Sequence, residues 1–127
     1  MLYLIVFLGA GLGGAFRHGV NVSAARVFGY GFPLGTFAVN VIGSLLMGLL
    51  AGYFAYRTGI SQHMRLFLTT GVLGGFTTFS AFSLDTALLI ERNAYAQAAA
   101  YVAVSVLASL LAVFAGLALF RAGGHLP

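Results

Sequence analysis

The 127-residue chain has no cysteine, no tryptophan and no lysine, and only 6% of its residues are charged. An average soluble domain has about 25% charged residues, and so few charges cannot cover a soluble fold. The lack of cysteine excludes disulfides and thiolate metal sites. All six basic residues are arginines near the ends of predicted helices, which is typical of membrane proteins and argues against a nucleic-acid partner.

The few charges leave long uncharged runs between them. These runs cover residues 2–16, 27–56, 66–84 and 93–120. A helix needs about 20 apolar residues to cross the hydrocarbon core, and the last three runs satisfy this. The first run is long enough if its helix continues to about Val22, with Arg17 near one membrane face or in a protein-lined cavity. We therefore predict an all-α integral membrane protein with four transmembrane helices, in which residues 1–127 form one domain.

Glycine, proline and hydroxyl residues predict where the helices end or break. The four helices are predicted at about 2–22, 33–56, 65–91 and 95–120, with a glycine-rich turn at 28–32. Near the middle of the third helix lie several poor helix formers, namely Gly71, Gly74, Gly75, Thr77, Thr78 and Ser80. We therefore expect the third helix to be broken at mid-membrane.

The arginines divide evenly between the two sides of the membrane. Each span reverses the side of the next loop, so one side has Arg57, Arg65 and Arg121 and the other has Arg17, Arg26 and Arg92. With three against three, the positive-inside rule assigns no preferred orientation. Two interpretations stay open: either the chain inserts both ways round, or folding partners or one dominant helix decide its orientation.

Small residues suggest close packing and an oligomer. Gly-x-x-x-Gly motifs occur at Gly9/Gly13, Gly48/Gly52 and Gly71/Gly75. Such motifs are common in membrane helices, so they predict tight packing without identifying an interface. Four helices also leave little room for a pathway inside one subunit, which favours an oligomer.

Polar residues recur every fourth position on two predicted helices. The rows are Thr36, Asn40 and Ser44 in helix 2, and Tyr101, Ser105 and Ser109 in helix 4. Each row shares one helix face, where it can serve as interhelical hydrogen bonding or as a wet track for an ion. Taken alone, the spacing favours interhelical hydrogen bonding.

Three phenylalanines, Phe76, Phe79 and Phe82, lie three residues apart in helix 3. They can pack ordinarily or against lipid, but aromatic rings also have positive edges that attract an anion without trapping it. Free backbone groups at a helix break can bind ions too.

No group in the sequence suggests catalysis. The histidines at 18, 63 and 125 have no shared metal-site spacing, and no serine is evidently paired with a histidine and an acid. Asp85 and Glu91 are expected at the membrane–water interface or paired with Arg92 rather than in a proton relay. We predict that the chain is not an enzyme.

Three segments carry a resemblance to a known family. They are residues 74–83 (GGFTTFSAFS), 13–17 (GGAFR) and 35–40 (GTFAVN), of which the first is highly specific. With them, nearly the whole chain resembles the CrcB/Fluc family of fluoride channels. The resemblance implies a multi-pass protein of the bacterial inner membrane that exports cytoplasmic fluoride. It also implies an antiparallel, dual-topology homodimer in the lipid bilayer, with two pores and a central structural sodium ion.

The resemblance also implies roles for individual residues. The fluoride pathway would include Arg17 near the aqueous entrance, and Thr36, Asn40, Phe79, Phe82, Tyr101, Ser105 and Ser109. The backbone carbonyls of Gly74 and Thr77 would hold the sodium ion. Asp85 stands where many relatives have glutamate, which leaves its role open.

Two alternatives come from other functional classes. A small drug-exporting antiporter also has four short helices and dual topology, but it needs a glutamate in helix 1, and residues 2–22 contain no acid. A passive assembly subunit would show no ion flux in vesicles.

Overall fold

The computed structural model is all-helical and describes residues 1–29, 31–56 and 59–124. Its elements are α1 (Leu2–Phe28), α2 (Leu34–Tyr56), α3 (Gln62–Leu66), a π-helical segment (Phe67–Leu73), α4 (Gly74–Phe76), α5 (Phe79–Glu91) and α6 (Tyr95–Gly124). Four stretches are long and apolar enough to cross a membrane: Leu2–Phe28, Leu34–Ala55, Gln62–Glu91 and Tyr95–Leu119. The four predicted spans are confirmed, and we call Gln62–Glu91 the third span.

The first helix is longer than predicted. It continues six residues past Val22 and ends where Gly29 adopts a φ of 81° and donates its N–H to the Ala25 carbonyl, 2.9 Å away. Arg17 therefore lies in the interior of α1, and its placement near a helix end was wrong. Of the other residues discussed above, Tyr30, Arg57 and His125 lie outside the described part of the chain.

Helices α2 and α6 pack against each other extensively. Their backbones approach closely at two glycines, since Gly48 faces the Val113 carbonyl and Gly116 faces the backbone of Leu45 and Leu49. A methyl group on Gly116 would lie 2.7 Å from the Leu49 nitrogen. Glycine is therefore required at this crossing to bring two continuous helices together.

Helix α1 packs in a similar way against the first half of the third span. A methyl group on Gly9 would lie 2.7 Å from the Phe67 carbonyl oxygen and 3.0 Å from the Gly71 Cα atom. Gly13 and Gly75 are equally confined by neighbouring backbone. The glycine motifs of α1 and the third span therefore pack against each other within one subunit.

A small cluster at one end of the bundle joins α5 to the start of α6. Leu89, Ala98 and Tyr101 are its buried members, and Phe32, Phe37, Phe82 and Ala94 pack around them. Most large apolar side chains elsewhere point outward, for example Phe7 and Phe114. This outward apolar surface fits a protein surrounded by lipid or by another subunit.

Candidate functional site

The third span is interrupted at Thr77 and Thr78. Thr77 has φ −88° and ψ 161°, and Thr78 has φ −155° and ψ 123°, so both are extended between α4 and α5. The Thr78 hydroxyl then caps α5 by accepting the Ala81 N–H at 3.1 Å. The predicted break is confirmed, but it lies at the threonines, because the glycines before it stay helical against α1.

The Asn40 side chain of α2 holds the backbone at this break. Its Oδ1 accepts the Thr78 N–H at 2.8 Å, and its Nδ2 donates to the Thr78 carbonyl at 3.0 Å. In a continuous helix the Thr78 N–H would instead donate to the Gly74 carbonyl. The two bonds fix which way the amide points, because a flipped amide would place like groups face to face.

The Arg17 side chain of α1 contacts the same break from the other side. Its Nε donates to the carbonyl oxygen of Gly75 at 3.1 Å. The Gly74 and Thr77 carbonyls, which the break also frees, have no hydrogen-bond donor among the described residues. Gly74 is exposed. The break therefore presents backbone oxygens that are not paired with a donor of the described residues.

A cavity of about 330 Å³ opens beside the break. The predicted site residues along its wall are Asn40, Thr77, Phe79, Phe82, Ser105 and Ser109. None of its described lining residues is ionisable. Ser105 is 5% exposed, and its buried hydroxyl has no hydrogen-bond partner among the described residues. A polar group left so in a folded protein is unusual and indicates a missing ligand or water.

The two phenylalanines of this cavity are placed differently. The Phe79 and Phe82 ring centroids lie 5.7 Å apart at 45°. Phe79 is 78% exposed, whereas Phe82 packs on Tyr101 at 5.1 Å. Phe79 thus contributes little to the core of its own subunit, which favours a role outside that core.

A second cavity of about 360 Å³ lies at the other end of α5, with Thr36, Asp85 and Arg92 in its wall. Tyr101 lies between the two cavities, with its ring against Phe82 and its hydroxyl donating to Asp85 Oδ2 at 3.1 Å. Of the predicted pathway residues, the structure thus places five at the first cavity and Thr36 at the second, while Tyr101 contacts a residue of each and Arg17 lines neither.

The acids of the third span, Asp85 and Glu91, were expected at a membrane interface or paired with Arg92. Among the described residues, Asp85 does not pair with Arg92: the Arg92 Nη2 donates to the Gly31 carbonyl at 3.0 Å, and Asp85 accepts the Tyr101 hydroxyl. Tertiary packing therefore sets the partners of Asp85 and Arg92.

Sequence reasoning also missed part of the cavity wall. Gly43 and Met47 line it beside Ser44, one turn after Asn40 on α2. The four-residue spacing of Asn40 and Ser44 indicated which face of α2 lines the cavity. Gly43 and Met47 gave no such indication, because glycine and methionine in a membrane helix resemble ordinary packing residues.

A break in an apolar helix long enough to cross a membrane, contacted by side chains of two other such helices beside a cavity without ionisable residues in its described lining, defines a small helical membrane protein. The sequence profile of the family described as "CrcB-like protein, Camphor Resistance (CrcB)" matches residues 4–117. The chain belongs to this family.

Curated relatives cover almost the whole chain. A protein of Rhodopseudomonas palustris (strain BisB5) named "Fluoride-specific ion channel FluC" is 62% identical over 96% of this chain and 98% of its own length. "Fluoride-specific ion channel FluC 2" of Nitrobacter hamburgensis is 59% identical over 95% and 98%. A protein of Methylobacterium nodulans with the first name is 61% identical over 95% and 97%. These names describe channels, in agreement with the prediction that the chain is not an enzyme.

Proposed function

We propose that the chain is a fluoride-selective channel through which cytoplasmic fluoride leaves the cell down its electrochemical gradient. The observation that carries this proposal is the buried Ser105 hydroxyl, which has no hydrogen-bond partner among the described residues and lines the cavity that also contains Asn40, Phe79 and Phe82. The names of relatives at about 60% identity support fluoride as the ion.

The chemistry of the cavity favours a small anion. Asn40 uses one Nδ2 hydrogen on Thr78, and its fixed orientation leaves the second as a donor without an acceptor among the described residues. Ring edges of Phe79 and Phe82 add weak positive potential, and the hydroxyls of Ser105 and Ser109 add further donors. Several weak sites without a fixed charge can replace water around an anion and still release it.

The exposed backbone at the break supports an antiparallel homodimer with two pores. Gly74 lies at the subunit surface, and its carbonyl has no donor among the described residues. In lipid, each unsatisfied backbone group costs several kcal/mol, so such a surface has to be covered by protein or water. A second copy in the opposite orientation would bring the two breaks together and cover both.

The same carbonyls suit a structural sodium ion at the centre of this dimer. Sodium is a hard cation that prefers oxygen ligands, and Gly74 and Thr77 of two copies would together supply four carbonyl oxygens. When bound, the ion would supply a positive charge that neutralises these oxygen dipoles and holds the two breaks together.

The position of Arg17 changes the charge count behind dual topology. With Arg17 inside α1, Arg26 and Arg92 remain on one side against Arg57, Arg65 and Arg121 on the other. Two against three is still too small a bias to set one orientation firmly. A reporter fused to the terminus should therefore be found on both sides of the inner membrane. A reporter on one side only would contradict dual topology.

Fluoride efflux from liposomes containing the purified protein, followed with a fluoride-selective electrode, tests the function. We expect rapid efflux of fluoride and no comparable efflux of chloride. An antiporter would instead exchange organic cations for protons, and an assembly subunit would pass no ion. Either of these results without fluoride efflux would contradict the proposal.

A further inference from the structure

Arg17 belongs to α1 but contacts backbone within the third span. Its Nε donates to the Gly75 carbonyl at 3.1 Å, two residues before the break begins at Thr77. Gly75 also packs directly on the Ala10 backbone of α1. Helix α1 therefore holds Gly75 in two ways, by close backbone contact and by a charged hydrogen bond.

This contact decides which backbone oxygens remain available at the break. The extended threonines remove the donors that the carbonyls of residues 74–77 would have in a continuous helix. Arg17 satisfies the Gly75 carbonyl, while those of Gly74 and Thr77 on either side of it have no donor among the described residues. A carbonyl bound to arginine is held in place, and the positive charge of the arginine disfavours a second cation at the same oxygen.

We propose that Arg17 is a positioning residue for the cation site, since it binds the Gly75 carbonyl and so fixes the Gly74 and Thr77 oxygens in a cation-binding arrangement. This inference rests on the sodium site proposed above. It gives Arg17 a role beyond a general attraction of anions. Attraction of anions would not fix the backbone next to the break, whereas the hydrogen bond to Gly75 does.

Glutamine separates the hydrogen bond of Arg17 from its charge. The Nε2 atom of glutamine is bonded to Cδ, as the Nε atom of arginine is, so Arg17→Gln can donate to the Gly75 carbonyl without a positive charge. Arg17→Ala removes both the donor and the charge. Arg26→Ala is the matched control, because it removes a charge from the exposed last turn of the same helix.

The experiment measures thermal stability of purified dimers in detergent as sodium replaces N-methylglucamine. For Arg17→Ala we expect the sodium concentration of half-maximal stabilisation to rise about tenfold, as expected for losing one charge-assisted hydrogen bond. Arg17→Gln and Arg26→Ala should stay close to the unmodified protein. Where the alanine variant yields no dimers, Arg17→Met keeps the side-chain bulk without a donor and serves in its place.

Each other result overturns the inference in a recognisable way. An unchanged sodium midpoint in the alanine and methionine variants would show that Arg17 does not position the site. Equal changes in Arg17→Ala and Arg17→Gln would assign the effect to charge instead of the hydrogen bond. If the unmodified protein carries fluoride but gains no stability from sodium, the proposed sodium site fails, and this inference with it, while the channel assignment stands.

Discussion

The α2–α6 pair and the third span both use glycine for close helix packing, but with different results. In α2 and α6, Gly48 and Gly116 let two continuous helices touch through their backbones. In the third span, Gly71 and Gly75 bring the helix against α1, but two residues later the helix opens and side chains from α1 and α2 take over its hydrogen bonds. Close packing therefore holds the continuous helices α2 and α6 together. In the third span it places the open backbone of the break within reach of side chains from α1 and α2.

The largest effect is expected from Asn40→Asp, because this substitution changes the side chain that binds the backbone at the break. The carboxylate can still accept the Thr78 N–H, but its second oxygen would face the Thr78 carbonyl that Nδ2 now binds. Loss of this bond and the new repulsion should destabilise the break by about 3 kcal/mol or more and abolish fluoride efflux. Efflux from liposomes and the unfolding midpoint measure the two effects.

The exposed Gln97 of α6 supplies the control for this change. Gln97→Glu makes the same amide-to-acid substitution away from the break and should leave both measurements nearly unchanged. Normal fluoride efflux in Asn40→Asp would show that Asn40 lies outside the pathway.

Gly116→Ala tests the closed region. A methyl group there would lie 2.5 Å from the Leu45 carbonyl oxygen, a backbone atom that cannot move aside alone. Overpacking of this kind should lower the free energy of unfolding by about 1–3 kcal/mol. Gly11→Ala, which meets nothing within 4 Å, should be neutral or slightly stabilising. Equal unfolding midpoints for the two variants would contradict the close α2–α6 contact.

Replacing Phe79 or Phe82 with isoleucine should impair transport more than folding. Isoleucine keeps apolar bulk but has no ring edge, and Phe79 is so exposed that it adds little to the subunit core. If the rings bind fluoride, Phe79→Ile and Phe82→Ile should still elute as dimers and lose about tenfold or more of their efflux rate, equivalent to about 1.4 kcal/mol on the barrier. Phe79→Met should retain some efflux through its polarizable sulfur.

The exposed Phe114 of α6 gives the comparison for this prediction. Phe114→Ile on α6 changes a ring outside both cavities and should leave efflux unchanged. Dimers of both Phe79→Ile and Phe82→Ile that carry fluoride at the unmodified rate would defeat aromatic coordination, though not the channel assignment.

The sequence was sufficient to predict the four spans, because crossing a membrane requires long uncharged runs that composition reveals directly. It also predicted a break in the third span from its poor helix formers. It placed the interruption among the glycines as well as the threonines, whereas packing against α1 keeps Gly71 and Gly75 helical. Tertiary contact overrides local propensity there.

The partners of individual polar residues were beyond sequence reasoning. Arg17 binds a backbone oxygen 58 positions away, and Asn40 binds one 38 positions away. Nothing in their local spacing identifies a carbonyl as the partner, because every residue carries one. The cavity residues were predictable only where a polar row or a family motif marked them.

The smallest effect is expected from Ser105→Ala, and its direction distinguishes a ligand site from a packing site. The Ser105 hydroxyl is buried and has no hydrogen-bond partner among the described residues, so a purely structural role predicts that alanine is neutral or stabilises the fold, by up to about 1 kcal/mol. If the hydroxyl binds fluoride in passage, the same change should slow efflux by a few-fold, as expected when one hydrogen bond of about 1 kcal/mol is lost at the barrier. We therefore expect Ser105→Ala to be at least as stable as the unmodified protein and to have a lower rate of fluoride efflux.

The exposed Ser83 on α5 provides the control for Ser105. Its hydroxyl donates to the Phe79 carbonyl at 3.1 Å within its own helix, outside both cavities. Ser83→Ala should therefore change neither stability nor efflux appreciably. A Ser105→Ala protein that is less stable but has an unchanged efflux rate would assign the hydroxyl to packing. The polar face of α6 would then serve the packing of α2 against α6 and not the passage of ions.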